Sequence, residues 1–148
     1  MKKFFIAGVF ALAMISSSFA STKSVNGKIM GDFAASFANA KNIIWSTVEN
    51  YEKVSFTLNN ERISVFYDFD GNLAGTSKVI AFDKLPKAAI ETITTKYTFP
   101  KYVVKECIEF VNSDNEKDYY VSLEKEKEIV VVKINTAGDA HIFSRTKK

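Results

Sequence analysis

An α+β fold is predicted: a tandem duplication of one unit, a helix followed by four antiparallel strands, with both helices packed on one face of the sheet. Three observations predict it. Residues 53–77 and 120–144 align without a gap at a shift of 67, with Val54/Val121, Ser55/Ser122, Glu61/Glu128, Val65/Val132, Gly71/Gly138 and Ser77/Ser144 identical. Apolar residues within each copy alternate with period two, the signature of half-buried strands. A stretch with apolar residues at three- and four-residue spacing precedes each strand set, as on one face of a helix.

In chain order, Ile29, Phe33, Phe37 and Ala40 line the first helical face, and residues 43–49 read as a strand. Val54, Phe56 and Leu58 then alternate with Lys53, Ser55 and Thr57, and Asn59-Asn60 turns the chain. Ile63, Val65, Tyr67 and Phe69 alternate with Arg62, Ser64, Phe66 and Asp68, and Asp70-Gly71-Asn72 leads into a strand over residues 73–80. In the second unit Asp83 is the expected N-cap and Pro86 falls in the first turn, where a missing N–H is harmless. Leu85, Ile90, Ile93 and Tyr97 form the apolar face, and Pro100 ends the segment. Strands follow at residues 102–111, 119–124, 129–135 and 140–145, with turns at 125–127 and 137–139. Neither a lone helix nor a four-stranded sheet hides its apolar side by itself, so the helices should cover one face of an eight-stranded system.

The first twenty residues read as an address. Lys2 and Lys3 precede twelve uncharged apolar residues (4–15), and Ser18 and Ala20 are the small residues expected before a cut ahead of Ser21. A bilayer span takes about 20 apolar residues, so residues 1–20 are expected to be a cleaved signal peptide with no membrane anchor left behind. Without a cysteine at the cut, no lipid anchor is expected. The remainder, 21–148, is expected to be a single periplasmic or secreted domain of two repeats, about 25–81 and 82–148. The leader holds two of the 20 bases and none of the 17 acids, leaving 18 against 17 and a net charge of +1. A surface so near neutrality has no electrostatic footprint for nucleic acid. With 47% hydrophobic residues and two prolines the chain is not disordered. One cysteine and one histidine exclude a disulfide scaffold, a Cys-based zinc site and a multi-His metal site.

The order of landmarks resembles the PepSY-like proteins with a β-lactamase-inhibitor-like (BLIP-like) fold, many of them exported by Bacteroidetes-type bacteria. The residues that carry the resemblance are Phe33 with Phe37-Ala38-Asn39-Ala40-Lys41-Asn42-Ile43-Ile44-Trp45, then Tyr67-Asp68-Phe69-Asp70-Gly71-Asn72, then Leu85-Pro86 with Ile90, Ile93 and Tyr97. They are structural signatures and contain no catalytic motif. The resemblance implies the duplicated helix-plus-four-strand fold, an extracytoplasmic home and an architecture similar to that of proteins which inhibit or bind enzymes. Where many members place a proline after the phenylalanine at the end of the first helix, this chain has Ala38.

Candidate chemistry is sparse. Asp68-Phe69-Asp70-Gly71-Asn72 opens like a calcium loop, but Leu73 and Val79 stand where that loop needs Gly and Glu, so a turn explains the same residues. Cys107 lies in a strand and reads as a small buried hydrophobe, or else as a thiol that pairs between molecules. His141 has no sequence feature that brings it to Cys107. Glu106/Glu109 and Glu124/Glu126/Glu128 sit among lysines and read as a solvated face. No nucleophile elbow, metalloprotease or phosphate-loop motif occurs, so no enzyme and no cofactor are expected. The period-two parity sends Phe66, Tyr120, His141 and Phe143 to the face away from the helices, with Trp45 on either side. Aromatic rings on an uncovered face suit a protein-binding surface. The expected function is an exported, non-enzymatic module that engages a protein or peptide through that face. The alternatives are a carrier holding a small apolar ligand between helices and sheet and, more weakly, an enzyme.

Overall fold

The computed structural model describes residues 25–148, so the leader expected at 1–20 lies outside the described residues. The elements run α1 (Gly27–Ser36), β1 (Lys41–Val48), β2 (Tyr51–Leu58), β3 (Glu61–Asp68), β4 (Leu73–Ile80), a 3-10 turn (Phe82–Lys84), α2 (Lys87–Lys96), β5 (Val103–Asn112), β6 (Lys117–Lys125), β7 (Glu128–Asn135) and β8 (Ala140–Lys147). All eight strands form one antiparallel sheet in the order β1 to β8, each paired with its neighbours in sequence. Among the described residues no helix is long and apolar enough to cross a membrane.

The hairpins are set by local chemistry. Asn59 and Asn60 both take positive φ, 51° and 66°, which Asn tolerates at the two centre positions of a tight hairpin turn. One hydrogen-bond pattern recurs at three other turns. The N–H of Asp68, Asn112 and Asn135 donates to the carbonyl four residues on, while its own side-chain oxygen accepts the returning N–H of Asn72, Glu116 and Asp139 at 2.8, 2.9 and 2.9 Å. The first and third of these turns lie 67 residues apart. Strand register repeats at the same shift: Val54, Ser55 and Phe56 face Val65, Ser64 and Ile63, while Val121, Ser122 and Leu123 face Val132, Val131 and Val130.

Both helices pack on one sheet face. Ile29 and Phe33 of α1 meet Val54, Phe56, Val65 and Tyr67, and Leu85, Ala89 and Ile93 at α2 meet Cys107, Tyr119, Val121, Leu123, Val130, Val132 and Ile134. Each buried aliphatic side chain there contributes about 1.5–3 kcal/mol.

Several helix details differ from expectation. Asp83 does not cap α2. It sits in the 3-10 turn, and Leu85 is extended (ψ 153°) because the residue before a proline disfavours the helical region. Pro86 therefore takes the cap position, and α2 starts at Lys87 without a side-chain cap. Ala89, not Ile90, joins Ile93 as fully buried on that face, and Ile90 packs at its margin. Phe37 and Ala40 lie past the end of α1, where Phe37 caps the helix by donating its N–H to the Phe33 carbonyl. Phe69 leaves the inward parity because it stands in the turn after β3, 48% exposed.

Candidate functional site

The side of the sheet away from the helices carries its own apolar cluster: Phe66, Ile108, Phe110, Tyr120 and Val131, flanked by Val48, Ala74, Val79, Ile129 and Phe143. The parity predicted for Phe66, Tyr120 and Phe143 holds, but their accessibility does not. Phe66 is 0% exposed and Tyr120 5%. The rings bury one another in a row across the strands. Phe66 to Phe110 is 6.0 Å between centroids, Phe110 to Tyr120 6.5 Å, and Tyr120 to Phe143 5.1 Å. Lysine ammonium groups stand over them, with Lys53 Nζ 5.7 Å from the Phe66 centroid and Lys133 Nζ 5.8 Å from that of Tyr120. Burial pushes the Tyr120 phenol well above its ordinary pKa. The row crosses β4 at Gly75, where a Cβ would lie 2.5 Å from Phe110 Cζ and 2.8 Å from the Val111 carbonyl oxygen.

The five proposed contact residues therefore divide. Phe66 and Tyr120 form the floor of this face. Phe143 is half-buried at one end of the row, and His141 is exposed beside it, opposite Lys133. Trp45 belongs to the other face: it is paired with Val54 and stacked edge-on against Phe33, at 5.3 Å and 75°.

What remains accessible is a groove of about 410 Å³ beside the ring row. Lys53 and Phe66 are cross-strand neighbours along it. One step down lie Ser55 and Ser64, with hydroxyls 2.9 Å apart, and then buried Ser77 opposite Ser64. Val79 and Ile108 extend the apolar floor, and Ile44 of edge strand β1, 65% exposed, forms the rim. Arg62 crosses over to Glu106, Nη2 to Oε1 2.6 Å, and the Glu106 side chain is only 14% exposed. Glu106 and Glu109 are thus not one solvated pair. Glu106 faces the groove, while neighbouring parity puts Glu109 on the helix side, beside the Tyr119 hydroxyl at 3.3 Å. Among the described residues no carboxylate comes within ion-pairing distance of Lys53. Burial lowers the Lys53 pKa below the ordinary lysine value, and the field of Glu106 only partly offsets this.

Alternation already placed Lys53, Ser55, Thr57, Arg62 and Ser64 on this side, so that part of the groove was legible. Its pairing with Glu106 was not, because the two residues are 44 positions apart.

The other candidates are accounted for locally. Asp68 is engaged in its turn: Asn72 donates to it from its backbone N–H at 2.8 Å and from its amide at 3.0 Å. Partial burial works against its charge, yet these donors and the N–H groups of Asp70 and Gly71 hold its carboxyl below the ordinary range. Cys107 is 3% exposed and faces the helices, whereas His141 faces the opposite side, so the two do not meet. Burial, with a smaller contribution from Glu106, pushes the Cys107 thiol up to about 11. Native protein at neutral pH should therefore react with a thiol reagent only as fast as it unfolds. Labelling kinetics in water and in urea will check this, and a fast native phase would contradict it.

No protein-family model matches this chain, and no curated protein matches it. Solved structures do. One is a protein of Bacteroides eggerthii provisionally described as periplasmic, with a TM-score of 0.72 at 13% identity over 83% of this chain and 88% of that one. A DUF2874 family protein of Bacteroides uniformis gives 0.70 at 13% identity over 82% and 88%. A BLIP-like protein of Bacteroides fragilis gives 0.66 at 16% identity over 83% and 87%. The chain shares their fold, an antiparallel eight-stranded sheet with two helices on one side.

Proposed function

We propose that this chain is an extracytoplasmic, non-catalytic binding module that engages a protein or peptide through the sheet face away from its helices. One observation carries the reading: neither helix packs over that face, and it presents a groove with cationic and hydroxyl groups around an apolar floor. Surfaces with this mixture suit a partner that is partly apolar and partly charged. The leader-like residues 1–20 and the likeness to a protein provisionally placed in the periplasm support export. The separation of Cys107 from His141 by the sheet supports a role other than thiol catalysis. The contact set is revised to Lys53, Arg62, Ile44 and His141 at the surface, with Phe66 and Tyr120 beneath. The repeated register and turns support descent of both halves from one unit, as PepSY-like tandem proteins would have it.

A photo-crosslinking residue at Ile44 tests this in the cell envelope, against the same residue at Thr94, which is exposed on α2. Adducts from position 44 and not from 94 are expected. Adducts from 94 alone, or from neither, would overturn the assignment of this face.

A further inference from the structure

Charge bookkeeping in the groove points to the kind of group it receives. Arg62 and Glu106 neutralise each other across 2.6 Å, and Lys78, also at the lining, pairs with Glu61 at 3.4 Å. Lys53 is the cation left over. It is half-buried, and its ammonium is held over the Phe66 ring with no carboxylate of the described residues at ion-pairing distance. A half-buried ammonium of this kind is complemented by one negative charge, and a dianion would overbalance it. The same groove is lined by apolar surface from Val79 and Ile108 and by the hydroxyls of Ser55 and Ser64, with Phe66 buried beneath the ammonium. The complementary ligand therefore carries a monoanion and an apolar group side by side, followed by groups that hydrogen-bond to hydroxyls.

Resting on the reading of this face as a peptide-binding one, we infer that the groove takes the free C-terminal carboxylate of a partner chain whose last side chain is apolar. In a terminal residue the carboxylate and the side chain share one Cα, so the first can meet Lys53 while the second lies on Val79 and Ile108 of the same groove. The preceding peptide groups then meet Ser55 and Ser64. A side-chain carboxylate would instead bring polar backbone onto the apolar floor. A volume of about 410 Å³ stands toward the small end of ligand pockets, which run from about 300 to 1,000 Å³, and suits the end of a chain more than its length. The groove also reaches edge strand β1 through Asn42 and Ile44, leaving an open side by which the rest of a chain can depart. The chemistry is charge-assisted capture of a chain end, here by a lysine on a strand.

Amide NMR of the isotope-labelled protein tests this. The probes are an N-acetylated pentapeptide of glycine and serine ending in leucine, as the free acid and as the C-terminal amide, with octanoate as an acid that has no peptide. The free acid should shift Lys53, Ser55, Ser64, Phe66 and Ile108. The amide should bind about tenfold or more weakly, the loss expected for one charge-assisted hydrogen bond. Lys53→Met should weaken the acid by a similar factor and leave the amide unaffected, and its otherwise unchanged spectrum would show that the fold is intact. Equal binding of acid and amide in the groove would overturn the carboxylate while leaving a peptide-binding face. Octanoate displacing the peptide at lower concentration would reassign the site to a free acid and overturn the inference. Absence of shifts from either peptide at millimolar concentration would also overturn it, and crosslinking from position 44 judges the broader reading separately.

Discussion

Phe66→Ala is expected to lower the stability of the protein by about 3–5 kcal/mol, the range for deleting a fully buried ring. The ring is 0% exposed, lies against Phe110 and has the Lys53 ammonium over it. Its removal opens a cavity in the middle of the face that has no helix over it. Lys53 then stands above a void, so the groove deforms as well. Urea unfolding followed by the fluorescence of Trp45, the single tryptophan, measures the effect. A ring that served only as a surface contact would shift stability by no more than about 0.5 kcal/mol when truncated, and such a result would contradict the burial described here. Ile44→Ala, at a 65% exposed position on the same face, is the matched surface control. Loss of a partner on Phe66→Ala would not by itself identify Phe66 as a contact, because the groove loses its floor.

Gly138→Ala should cost about 2–5 kcal/mol, and markedly more than Gly71→Ala. Both glycines occupy the same position in equivalent turns and take φ of +91° and +84°, so each substitution strains the backbone by about 1–2 kcal/mol. Their surroundings separate them. A Cβ on Gly71 meets the flexible Lys28 side chain at 3.2 Å and Ile29 at 3.5 Å, and these can yield. A Cβ on Gly138 would stand 2.8 Å from the carbonyl oxygen and 2.9 Å from the carbonyl carbon of Ala88, backbone atoms in the first turn of α2. Relief requires moving the helix, which adds an overpacking cost of about 1–3 kcal/mol. It would also disturb the hydrogen bond that the Thr92 hydroxyl donates to the Gly138 carbonyl at 2.8 Å. Thermal melts of the two variants side by side are the measurement. Equal losses would mean that this turn does not carry α2.

These two cases mark where sequence reasoning stops. The equivalence of Gly71 and Gly138 is visible as an identity at a shift of 67, because a turn needing positive φ selects its residue locally. That one of them touches helix backbone depends on how α2 settles on the sheet, which no local preference encodes. The same division runs through the candidate site. Parity along each strand sent Phe66, Tyr120 and Phe143 to the far face, because side chains alternate whatever the strand packs against. Exposure does not follow from parity. Whether rings on a helix-free face lie open or cover one another depends on neighbours two strands away, and Gly75 is what lets Phe110 reach across β4 to Phe66. Trp45 went to the helix side through its pairing with Val54, and the bulge between Lys41 and Ile44 that sets this register leaves no clear signal in the alternation.

By itself the sequence determined the α+β class, the order of helices and strands, the turns, and the side of the sheet to which most strand residues belong, Trp45 being an exception. All of these follow from periodicity and backbone preference over a few residues. Only the tertiary structure decided that the aromatic row is an interior, that Arg62 is engaged by Glu106, and that Lys53 is left as the unneutralised cation of the groove. Those outcomes depend on distances between residues far apart in the chain, set when the whole sheet assembles.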